Sequence, residues 1–185
     1  MAREFLRRWE EANERGKNRL CQVAPVAAVQ AGALRDPDPW MRRRYLSFLD
    51  HHANDESGAV FLAALADPVT PVREMAVHGL SCERCRSEEL CVADVVPVVV
   101  RLIDSDPSPE VRHKTLAILV RLASRSVEAM EAIRRAAVED DDALVREAAA
   151  RVLTGRHLPS RERLRWHARS RKGKAKRRVL ADPKD

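Results

Sequence analysis

Apolar positions along this chain recur three and four residues apart, in segments of helix length separated by short turns rich in Asp and Pro. That spacing is the mark of amphipathic helices. Residues 2–15 place Phe5, Leu6, Trp9 and Ala12 on one face and charges elsewhere, which predicts an N-terminal helix with Gly16 as its stop. Beyond it the pattern predicts four helical pairs. The first helices span 22–34, 57–66, 93–104 and 127–139; the second span 39–52, 71–82, 109–123 and 143–154. The turn chemistry supports these boundaries. Asp38-Pro39 and Ser108-Pro109 set a capping side chain before a proline at the first helical position, Asp142 caps in the same register, and Thr70-Pro71 slips by one. Pro97 is expected in the first turn of its helix, where a missing N–H costs nothing.

The second helices carry a repeated register. Asp36-Arg42-Leu49, Asp67-Arg73-Leu80, Asp106-Arg112-Leu119 and Asp140-Arg146-Leu153 share one spacing, with the arginines 31, 39 and 34 residues apart. A period in this range marks stacked supersecondary units. In the third unit Val111, Thr115, Leu116 and Leu119 fall on one face and predict the core; Tyr45 is the one large variant of that face. An Asp in the turn can cap backbone N–H groups and also pair with an Arg of its own or the next unit. Such links form a ladder that fixes the rotation between units. The N-terminal helix is expected to cover the open end of the stack.

The run Asp106-Pro-Ser-Pro-Glu-Val-Arg112, with Leu116 and Leu119 after it, resembles HEAT repeats, particularly the short bacterial type related to phycobilisome-lyase repeats. Asp67-Pro-Val-Thr-Pro-Val-Arg73 and Asp140-Asp-Asp-Ala-Leu-Val-Arg146 fit the same template. Asp36-Pro-Asp-Pro-Trp-Met-Arg42 departs from it at Trp40-Met41. The resemblance implies an all-α solenoid of about four HEAT-like pairs. Its expected organisation is a capping helix at 1–16, repeats at 22–155 and a basic, largely disordered tail at 156–185. It also implies a macromolecule-binding scaffold. The family holds a few enzymes, including alkylpurine DNA glycosylases and bilin lyases, but their active-site residues find no match here.

Charge adds a second feature. Residues 156–185 hold twelve Lys and Arg against Glu162, Asp182 and Asp185, while the whole chain is only +6, so the repeat region is net negative. Arg171, Lys172, Lys174, Lys176, Arg177 and Arg178 lie in a run without apolar periodicity, the composition of a polyanion-binding or merely solubilising tail. Arg43 and Arg44 form a second basic cluster, expected to be exposed. Trp40 beside them is expected to plug against the N-terminal helix; in a glycosylase-like reading, Trp40 and Tyr45 would instead contact DNA.

Three of the four cysteines occupy one loop, where the spacing of the arginines is longest. Cys82 and Cys85 have the C-x-x-C spacing of zinc ligands, Cys91 is a third candidate, and His78 or His51 is a fourth. Structural zinc, packed reduced thiols and a redox pair are the alternatives. The last is disfavoured because the pair closes a helix, whose negative end raises a thiol pKa.

These readings converge on a non-catalytic scaffold that binds another protein through its repeat surface. Nucleic acid held by the tail and exposed arginines is the alternative, and a DNA-glycosylase-like enzyme a distant third. There is no glycine-rich phosphate loop and no recognisable Ser or Cys triad. The charged N-terminus and the lack of a long apolar run predict a cytoplasmic protein with no membrane partner.

Overall fold

The computed structural model describes residues 1–51, 57–81 and 92–156. Among them every regular element is an α-helix. The helices are α1 (Ala2–Glu11), α2 (Glu14–Gln22), α3 (Val26–Arg35), α4 (Pro39–His51), α5 (Ser57–Ala64), α6 (Thr70–Ser81), α7 (Val92–Ser105), α8 (Pro109–Leu122), α9 (Val127–Glu139) and α10 (Ala143–Leu153). The chain is therefore all-α.

Consecutive helices pair as α3 with α4, α5 with α6, α7 with α8 and α9 with α10. The second helices then pack on one another in sequence, α4 on α6, α6 on α8 and α8 on α10, while α3 packs on α5 and α7 on α9. One continuous apolar core runs between the layers. Leu46 and Leu49, Val77 and Leu80, and Leu116 and Leu119 are its recurring members, each without exposed surface. Tyr45 is buried as its pattern predicts, and the backbone makes room for it: a Cβ on Gly32 would stand 2.6 Å from the Tyr45 ring. Gly79 does the same for Phe61, with 2.1 Å between an added Cβ and the ring. Glycine at these two positions lets an aromatic ring of the paired helix lie against helical backbone.

Three local expectations are corrected. Gly16 does not end the first helix. The chain breaks at Ala12, and Asn13 caps a separate helix α2 by accepting a hydrogen bond from Gly16 N at 2.9 Å. Pro97 lies well inside α7 rather than in its first turn. Trp40 does not plug against the N-terminal helix; it is 63% exposed. The plug comes from the other side, where Phe5 and Trp9 of α1 meet the Phe48 ring edge-on at 5.1 and 5.3 Å.

Candidate functional site

The turn aspartates and second-helix arginines form one chain of contacts. Arg42 Nε and Nη2 donate to the two carboxylate oxygens of Asp67 at 2.6 and 2.9 Å. Arg73 binds Asp106 in the same way at 2.7 and 2.9 Å, and Arg112 binds Asp140 at 2.9 and 2.9 Å. In each case Nη1 donates back to the main-chain carbonyl of its own turn aspartate: Asp36, Asp67 and Asp106 at 2.8, 2.9 and 2.7 Å. The aspartates are themselves held, because Oδ1 accepts the N–H two residues on in all four turns. Each Arg thus ties its own turn to the next, and the bidentate geometry fixes both distance and angle.

The ladder is closed at its N-terminal end by Arg3 of α1, whose guanidinium takes both oxygens of Asp36. That contact holds the Asp36 carboxyl below the usual range, with Arg3 the main cause. Burial works against the charged form of Asp67, yet the Arg42 hydrogen bonds and the Val69 N–H outweigh it and hold that carboxyl low as well.

On the exposed side of the second helices lies a groove of about 540 Å³. Residue spacing puts Trp40, Arg43, Ser47 and Asp50 on one face of α4, and Pro71, Glu74, Met75 and His78 on the facing side of α6; Lys114 of α8 closes the far edge. Two polar contacts cross it. Lys114 Nζ donates to Glu74 at 2.5 Å, and His78 Nε2 lies 3.3 Å from Asp50 Oδ2, whose side chain has no exposed surface. Arg43 is exposed and meets no carboxylate among the described residues. The groove therefore presents an open indole and an open guanidinium, while Lys114 is matched by Glu74 and Asp50 is covered by His78.

The predicted site residues separate here. Arg43 lines the groove; Arg44 turns to α1, where Nε donates to Glu10 at 2.7 Å. His78 faces the groove and Asp50. Cys82, Cys85 and Cys91, and Arg171, Lys172, Lys174, Lys176, Arg177 and Arg178, lie outside the described residues, as does the side chain of His51. Among the described residues no three His, Cys, Asp or Glu side chains cluster as metal ligands would. Asp50, Glu74 and Lys114 carry no sequence signal of their own, since they sit at variable positions of the repeat. A glycosylase-like cleft needs an Asp and several aromatics together. Asp50 and Trp40 line the groove from opposite ends of α4, and Tyr45 is in the core.

Comparison with protein-family profiles, with curated proteins and with solved structures finds no match for this chain. No described helix is long and apolar enough to cross a membrane.

Proposed function

We propose that this chain is a HEAT-repeat-type α-solenoid of four helical pairs, of the bacterial type its repeat motif resembles. In this reading it serves as a non-catalytic cytoplasmic scaffold, and the groove of its second helices binds another protein. The observation that carries the reading is the pairing of an exposed Trp40 with an open Arg43 on a face held rigid by the Arg–Asp ladder. Trp and Arg are the residue types that dominate binding energy at protein interfaces. A rigid face adds little ordering cost on association. The non-catalytic part is supported by Asp50, which is wholly enclosed and held by His78 rather than open to a substrate.

The alternative is nucleic-acid binding, favoured by the basic run at 171–178. A nucleic-acid surface is expected to present a continuous basic stripe. The groove instead sets Glu74 beside Arg43 and Lys114, which supports a protein partner.

Affinity capture by the full chain, with and without nuclease, separates the two. A protein partner retained after nuclease and lost with Trp40→Ala or Arg43→Ala is expected. Capture that vanishes with nuclease, survives both substitutions and falls steeply with salt would hand the function to the basic run.

A further inference from the structure

Among the described residues the Arg–Asp ladder is closed at one end and open at the other. Arg3 takes the first aspartate, but among the described residues the fourth arginine of the register, Arg146, takes no aspartate side chain. Its Nη1 donates to the carbonyls of Asp140 and Asp141, so the guanidinium is held against its own turn as the other three are. Among the described residues Nε and Nη2 meet no carboxylate. The apolar surface beside it is open too. Leu46 and Leu49, Val77 and Leu80, and Leu116 and Leu119 are enclosed by neighbouring units, whereas at the same register Ala150 is exposed and Leu153 is 40% exposed.

We infer that Arg146, with Ala150 and Leu153, is a docking site for another protein that presents an aspartate at the head of an apolar-faced helix. The molecule itself displays the chemistry that fits, three times over. Asp67, Asp106 and Asp140 each offer a carboxylate fixed by the N–H two residues on, followed by a helix whose apolar face covers the unit before it. A guanidinium held by its own turn is preorganised for such a carboxylate, so little ordering is left to oppose binding. Charge argues against the rest of this chain as the occupant. Residues 157–185 carry eleven lysines and arginines against Glu162, Asp182 and Asp185, a poor match for a site that lacks an anion. The site stands apart from the groove and does not depend on it.

The test uses the full chain and a fluorescent peptide of residues 106–122, an aspartate-led helix from this chain's own ladder. Binding followed by anisotropy is expected to saturate. It should weaken by about tenfold or more with Arg146→Gln, or with an Asp106→Asn peptide against the unaltered protein, since a charged hydrogen bond contributes on that order. Arg101→Gln, at an exposed arginine of α7, should leave it unchanged. The peptide arm keeps the test independent of any folding defect in Arg146→Gln, which a thermal melt would report. Equal binding of the Asn peptide, or no saturation, overturns the inference. So does tighter peptide binding when Glu162, Asp182 and Asp185 are all neutralised, because the chain's own carboxylates would then be the occupants.

Discussion

At the scale of single residues, fit and charge have separable consequences. Gly79 lies under the Phe61 ring so closely that even a methyl group must displace it. Gly79→Ala should destabilise by about 1–3 kcal/mol, the cost of overpacking a filled core. Pairing it with Phe61→Leu should recover part of the loss, as measured by urea unfolding. A neutral Gly79→Ala would mean that the ring has another place to go. The aspartates respond to pH instead. Asp36 and Asp67 have folded pKa values below their ordinary ones. Their contribution is therefore fully present above about pH 4, where an unfolded carboxylate titrates, and is lost as pH falls through the lower folded values. Asp67→Asn should be less stable than the parent at neutral pH, and the gap should narrow in acid. A gap that stays constant down to pH 2 would contradict this sign. Most of this scale was legible in the sequence, because Asp and Arg recur in register with Leu. Which aspartate each arginine takes was not, since a turn Asp can serve its own unit or the unit before it. Trp40 misled for a related reason: an aromatic at a helix start has the composition of a plug, and only the packing of Phe5 and Trp9 on Phe48 shows that the place is taken.

At the scale of elements, the ladder makes each helical pair depend on the next. Arg73 and Asp106 are nearly enclosed, so Arg73→Ala leaves a buried carboxylate without its cation and should cost about 3 kcal/mol. The Arg73→Ala and Asp106→Ala double variant should lose less than the sum of the two singles, because removing both partners leaves no stranded charge. Strict additivity would mean that the contact carries no energy. Hydrogen exchange should place the Arg73→Ala loss in α5–α8, with α1 and α10 less affected, as expected for a stack whose units touch mainly their neighbours. The helices themselves were readable from the 3.6-residue period and the Asp/Pro turns, and their ends mostly fall within a few residues of expectation. The break at Ala12 escaped because Gly16 has the composition of a helix end. Here Gly16 supplies the N–H that Asn13 caps, and its lack of a side chain keeps Ala12 and Asn13 close.

At the scale of the whole molecule, one end of the ladder is sealed by Arg3 and the packing of α1, and the second helices carry a groove with one open cation and one open indole. The groove was not legible beforehand. Asp50, Glu74 and Lys114 occupy positions that vary from unit to unit, and only the stacking of α4, α6 and α8 brings them together. The most direct measurement of protein docking at this face places a photo-crosslinking phenylalanine at position 40 of the full chain in cells, with the same group at the exposed Val127 of α9 as the reference. A discrete protein adduct is expected from position 40 that survives nuclease, is absent from position 127 and fades with Arg43→Ala. No adduct from position 40, or the same adducts from both positions, would contradict that docking.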